Sequence, residues 1–307
     1  MGSNLESFFV EGQNRSSRSD PLPRRNYRPG VNLSVVGFGG LMLVGLGREP
    51  VNRLVAESVE CGVNYFDVAP SYGDGEAEDM LGTALEPHRK NVFLASKTLE
   101  HSVAGVRLEL EQSLRRLRTD YLDLYQFHAV NKAADAEEIL APGGAAEFLL
   151  RAREQGLIRF IGFSSHSAPI SLVLLDRFRF DSILFPVNFV CYARGNFGPQ
   201  VLAKARSAGT ACVALKSLAH TVRRRLEPRR YPNCWYRPID DPALALQAMR
   251  FSLSEDVVSL LPPGDEQLYR LAVEQAFRVT PLTDEERCRL FEHARGVKPI
   301  LRAGKKQ

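Results

Sequence analysis

The 307-residue sequence predicts an α/β protein of the (β/α)8, or TIM, barrel class. It reads as one domain over residues 30–307, with a flexible N-terminal arm over 1–29 and one extra C-terminal helix. Three observations carry this. From residue 31 onward, eight short apolar runs alternate with eight segments of helical character. Most of those runs are continuously apolar rather than alternating, as strands buried on both faces are. Several end in a polar residue, as strands do where a parallel sheet gathers its chemistry at their carboxyl edge.

Each repeat has its own local signals. Residues 34–40 form the first strand, followed by the Gly45-Leu46-Gly47 turn and a helix over 50–61. The second strand, 64–69, leads into a helix over 76–86. The third, 92–97, leads into a helix over 103–117, where Val103, Val106, Leu110, Leu114 and Leu117 share a face. Strand four is 121–127, and the helix over 145–155 is closed by Gly156, suited to a left-handed cap. Strand five (158–163), a helix (170–178), strand six (182–187) and a helix over 199–208 capped by Gly209 follow. Strand seven is 211–215, then come a helix over 242–253, strand eight over 257–261 and a helix over 266–277. Thr283, with Glu286 three residues later, makes a capping box for the extra helix, which ends near residue 294. An open doubly wound sheet would need a glycine fingerprint after strand one; Gly37-Phe38-Gly39-Gly40-Leu41-Met42 has Met42 where its third glycine belongs. Two long loops, 129–144 and 219–241, fall on the catalytic face of such a barrel. The second carries Arg223-Arg224-Arg225, Arg229-Arg230 and the sole tryptophan, Trp235.

Composition excludes several classes. With 44% hydrophobic and 25% charged residues the chain is an ordinary globular protein. A net charge of +4 is far from the one-sided excess of a nucleic-acid binder, so no such partner is expected. No apolar run nears the roughly 20 residues that span a bilayer, so no membrane association is expected. Five cysteines without a CxxC pair or zinc spacing read as reduced thiols of a cytoplasmic protein, and no metal site is expected. Arg24-Arg25 lacks a following apolar segment, and Glu6 stands where a myristoylation motif needs Ser or Thr, so neither export nor lipidation is expected.

Four polar residues lie at or just past strand ends: Asp67, Tyr72, Lys97 and His128. On neighbouring strands, Lys97 and Asp67 pair, which keeps a buried lysine charged where burial alone lowers its pKa. A tyrosine ordinarily ionises near about 10. A lysine ammonium within roughly 4–6 Å stabilises its phenolate and makes Tyr72 the better acid. His128 can hydrogen-bond the same acceptor oxygen. Singly, each has a plainer reading as a rim charge, a turn residue or a satisfied histidine. Together they suit proton delivery to a carbonyl oxygen as hydride reaches its carbon.

The segments Gly62-Val63-Asn64-Tyr65-Phe66-Asp67-Val68-Ala69-Pro70-Ser71-Tyr72-Gly73, Ala95-Ser96-Lys97-Thr98 and Asp120-Tyr121-Leu122-Asp123-Leu124-Tyr125-Gln126-Phe127-His128 resemble the aldo-keto reductase signature. The likeness runs over residues 31–295. It implies reduction of an aldehyde or ketone, a small carbonyl substrate, with NADP(H) or NAD(H) as cofactor. Tyr72 is then the general acid, Lys97 and Asp67 tune it, and His128 orients the carbonyl. The resemblance further implies that Ser164, Ser165 (in place of the usual Asn) and Asn188 (in place of Gln) hold the nicotinamide carboxamide. Leu215-Lys216-Ser217-Leu218 stands for a stacking Tyr followed by Ser-Pro-Leu, with Lys216 toward the pyrophosphate. Gly264, Arg270, Glu274 and Gln275 fall in the adenine-binding segment, where Arg270 is the nearby cation among Asp265 and Glu266. Arg223, Arg224 and Arg225 either supply positive charge toward a 2′-phosphate or form a solvated loop face, the second being the plainer reading. The alternatives are a non-catalytic dinucleotide-binding barrel, redox-sensing or partner-binding, and a Schiff-base aldolase with Lys97 as nucleophile.

Overall fold

A computed structural model of the chain describes residues 21–224 and 226–303. It opens with an antiparallel hairpin, β1 (Arg24–Arg28) and β2 (Val31–Ser34). The arm was expected to extend through residue 29, but residues 24–28 are a strand; residues 1–20 lie outside the described residues. The reason is hydrophobic: Tyr27 and Leu33 are buried among Tyr65, Phe93, Leu124, Leu184 and Val213, inside the barrel. The hairpin is thus a floor. Burying one such side chain contributes about 1.5–3 kcal/mol, enough to fold a segment that is polar in composition.

Above that floor run β3 (Phe38–Gly39), α1 (Arg48–Glu60), β4 (Tyr65–Asp67), α2 (Glu76–Leu85), β5 (Phe93–Thr98), α3 (Val103–Arg116) and β6 (Leu122–Phe127). Next come α4 (Ala133–Leu140), α5 (Ala145–Glu154), β7 (Ile158–Ser164), α6 (Ala168–Arg177), β8 (Ser182–Pro186), α7 (Phe189–Gly195) and α8 (Pro199–Ser207). Then follow β9 (Ala211–Leu215), the antiparallel pair β10 (Ala219–Val222) and β11 (Tyr236–Pro238), α9 (Pro242–Ser254), β12 (Val257–Leu261), α10 (Glu266–Ala276) and α11 (Asp284–Ala294). Eight strands pair in parallel in the order β12-β9-β8-β7-β6-β5-β4-β3. The ring closes through Val36 beside Leu260, with Gly37 N donating to Leu260 O and Leu260 N to Val35 O. This is the expected (β/α)8 barrel.

The first strand differs from expectation. Its predicted span, 34–40, joins the end of β2 to the two residues of β3, because the chain turns from the floor hairpin into the barrel at Ser34–Val36. Inside the loops, α4 and the β10–β11 pair were not foreseen. Nor was α7, whose N-cap Asn188 accepts from Cys191 N and whose C-cap Asn196 is left-handed. The extra helix α11 begins as predicted: Thr283 Oγ1 accepts from Glu286 N, and Glu286 Oε2 accepts from Thr283 N.

Candidate active site

At the carboxyl end of β4, Asp67 faces the barrel interior, and the chain turns through residues 69–75 into α2. Tyr72 N donates to Ala69 O in that turn, which then runs through left-handed Gly73, Asp74 and Gly75. At a φ of +63° Gly73 is the residue this turn favours, and so it helps present Tyr72. On the next strand Lys97 is wholly buried, in register with Gln126 of β6. His128 follows β6, its backbone N bonded to Thr98 O, and left-handed Ala129 turns the chain away.

The four residues meet. Lys97 Nζ bonds Asp67 Oδ1, donates to Val68 O at 2.8 Å, and lies 3.5 Å from Tyr72 Oη. The Tyr72 and His128 rings stand edge to face with centroids 6.0 Å apart. Burial is the strongest influence on Lys97 and pushes its ammonium down, but Asp67 and Tyr72 together lift it above the ordinary lysine value. Lys97 is therefore charged. Burial pushes the Tyr72 phenol up, the Lys97 ammonium pulls against that, and the phenol stays above its ordinary value. Tyr72 is consequently protonated at neutral pH, with the Lys97 ammonium 3.5 Å from its hydroxyl. Burial, then Lys97 and His166, push His128 down to about 3, so its imidazole is neutral. Its buried Nδ1 has no hydrogen-bond partner among the described residues. A neutral imidazole beside a proton donor can contribute an N–H to an oxygen without competing for the proton.

The expected cofactor residues divide. Ser217 is buried with a partnerless Oγ, and beside it Lys216, left-handed and half-buried, makes no ion pair among the described residues. The Lys216 ammonium sits over the rings of Tyr236 and Trp235. Leu218 is core. At Gly264 a Cβ would lie 2.9 Å from the Leu41 side chain, so the chain approaches closely there. An unpaired cation next to an unsatisfied hydroxyl fits an anionic pyrophosphate.

Others are committed within the fold. Asn188, expected at the carboxamide, spends its Oδ1 capping α7 and its Nδ2 on the carbonyls of Lys216 and Ala219, so it positions the Lys216 turn instead. Ser164 Oγ accepts from Ala129 N. Ser165 Oγ bonds Asn131 Oδ1 and accepts from Ser167 N. Asn131, missed in the sequence, also accepts from His166 N and so organises this turn. Arg270 is paired with both Glu57 and Glu266. Glu274 is exposed in the last turn of α10, and buried Gln275 accepts from Arg278. Arg223 donates to Glu227 O, while Arg225 lies outside the described residues.

A parallel barrel with Asp, Lys, Tyr and His at its carboxyl edge defines a class, and comparison with known proteins agrees with it. Residues 35–235 match the model of the Aldo/keto reductase family, and the chain belongs to that family. It is 32% identical over 161 residues to aldo-keto reductase YhdN of Bacillus subtilis (48% of this chain, 46% of that one). It is 30% identical over 161 residues to L-galactose dehydrogenase of Arabidopsis thaliana (48% and 50%). The chain thus spans about half the length of these curated relatives. An aldo-keto reductase from Bacillus halodurans, in its holo form, superposes with TM-score 0.70 at 23% identity, covering 93% of this chain and all of that one. One from Klebsiella pneumoniae, solved with NADPH, gives 0.66 at 19% identity over 90% and 96%.

Proposed function

We propose that the protein reduces an aldehyde or ketone to an alcohol, using NADPH or NADH. The observation that carries this is Lys97, buried and charged between Asp67 and Tyr72. Tyr72 gives its proton to the carbonyl oxygen, and Lys97 stabilises the phenolate left behind. Neutral His128 donates an N–H to that same oxygen and orients it. When bound, the nicotinamide cofactor supplies the hydride; the chain supplies position and the proton. Lys216 and Ser217 would hold its phosphate-bearing part. The pairing of Lys97 with Asp67 argues against a Schiff-base role, because an ammonium fixed by a carboxylate is no nucleophile.

The test is side-by-side titration with NADPH and NADH, followed by a panel of aldehydes and ketones. Binding of a reduced cofactor and its oxidation on at least one carbonyl is the expected result. Binding without turnover on any carbonyl would favour the non-catalytic barrel.

A further inference from the structure

Asp67 has two carboxylate oxygens, and the barrel treats them differently. Oδ1 takes Lys97. Oδ2 accepts from two neutral donors, Tyr65 Oη at 3.0 Å and Gln126 Nε2 at 3.0 Å, both buried. We propose that Tyr65 and Gln126 are positioning residues that clamp Oδ2 so that Oδ1 stays aimed at Lys97. This rests on the reductase reading of the site.

The clamp is built. Tyr65 and Asp67 are two residues apart on β4, so both point into the barrel. Gln126 stands in register with Lys97 on the adjoining strands, so it faces the same layer. The Tyr65 ring occupies room that only a glycine at 37 leaves, since a Cβ there would lie 2.5 Å from Tyr65 Cδ1. The same Cβ would lie 2.9 Å from Leu261 Cδ2, and from below Phe93 packs against Tyr65 with centroids 5.9 Å apart. The floor hairpin supplies Tyr27 beneath Phe93. Gly37, which failed as part of a dinucleotide fingerprint, thereby gains a physical role. Burial and the Asp67 charge push the Tyr65 phenol well above its ordinary value, so it remains a donor at any working pH.

The electrostatic consequence has a sign. Donors on Oδ2 draw carboxylate charge away from Oδ1, leaving more of the Lys97 field to act on Tyr72. The ionisable groups around this centre are Asp67 and Tyr65 on β4, Tyr72 beyond it, Lys97 on β5, His128 after β6, His166 after β7 and Tyr27 in the floor. Removing one Oδ2 donor lets the carboxylate neutralise Lys97 more fully, so Tyr72 becomes the weaker acid.

The test compares Tyr65→Phe and Gln126→Met with the parent protein. Both are expected to lower kcat about tenfold at neutral pH and to move the alkaline limb of its pH profile upward by up to about one unit. KM and the cofactor Kd should change less than about twofold, as for an interaction that acts in the transition state. Independently of turnover, Tyr72 is titrated from phenolate absorbance, taken as the difference between proteins with and without Tyr72→Phe. That titration should shift upward in both backgrounds. Parent-like kcat profiles and an unmoved Tyr72 titration in both variants would overturn the clamp, even with a lowered Tm. If no carbonyl is turned over while the Tyr72 titration still shifts, the clamp stands and the reductase reading fails.

Discussion

Tyr72, Lys97 and Asp67 act as one electrostatic unit, and its pH dependence follows from their environments. In the proposed mechanism reduction needs protonated Tyr72, whose phenol lies above its ordinary value, so activity should persist through neutrality and fall only on the alkaline side. His128, pushed down to about 3, changes charge nowhere near neutrality. A profile of kcat/KM against pH should therefore be flat from about pH 5 to 8, without the inflection an ordinary histidine near 6.5 would give. An inflection near 6.5 that vanishes in His128→Gln would contradict the neutral-imidazole role. At this scale the sequence was informative at and just past the strand ends, where Asp67, Tyr72, Lys97 and His128 come together. It misled at Asn188, because an asparagine before an apolar run is equally a helix cap, and the signals for α7 were present in Asn188 and Asn196. Tyr65 escaped notice although period-two alternation places it on the face of Asp67.

Individual elements divide the signature between chemistry and stability. The β6 segment ends in His128 but begins near Asp123, a buried carboxylate that accepts from Arg89 at 3.0 Å, Arg159 at 2.6 Å and Leu94 N at 3.0 Å. It lies at the opposite end of the strand from the site. Asp123→Ala removes the carboxylate from mostly buried Arg89, which keeps only Thr119 Oγ1 and the carbonyls of Val92 and Tyr121, and should cost about 3 kcal/mol in denaturant unfolding. The surviving folded fraction should keep its kcat. Unchanged stability would remove Asp123 from the barrel's support. On α9, Arg250 donates to both oxygens of Glu286 and to the carbonyls of Thr280 and Pro281, tying α11 to the barrel. Arg250→Met should lower Tm by several degrees, since partners are left unpaired, again with kcat unaffected. Legibility differed among elements for a physical reason. Core strands and capped helices announce themselves in apolar runs and cap residues, as the Thr283–Glu286 box does. The floor hairpin is polar in composition and owes its place to Tyr27 and Leu33, which only the closed barrel can bury.

For the whole molecule, two histidines held neutral by the fold couple stability to acidity. Folded-state values of about 3 for His128 and about 4 for His166 lie below the ordinary 6.5. Between about 4 and 6.5 the unfolded chain binds protons that the folded one does not, so stability falls as pH drops through that window. Denaturant midpoints measured down this range should decline, and His166→Gln should decline less steeply; equal slopes would contradict the assignment. Arg270, paired with Glu266 of its own helix, owes its pairing with Glu57 of α1 to the assembled barrel as well. The central claim is that barrel closure unites the ends of β4, β5 and β6 into one proton-delivering centre. It is tested most directly by a double-mutant cycle on kcat with Tyr72→Phe and Lys97→Met, cofactor Kd measured alongside. Each change alone should cost about 10²–10⁴ in kcat while the cofactor still binds, and the pair should cost little more than the larger single loss. Near-normal turnover in Tyr72→Phe, or losses that multiply independently, would contradict it.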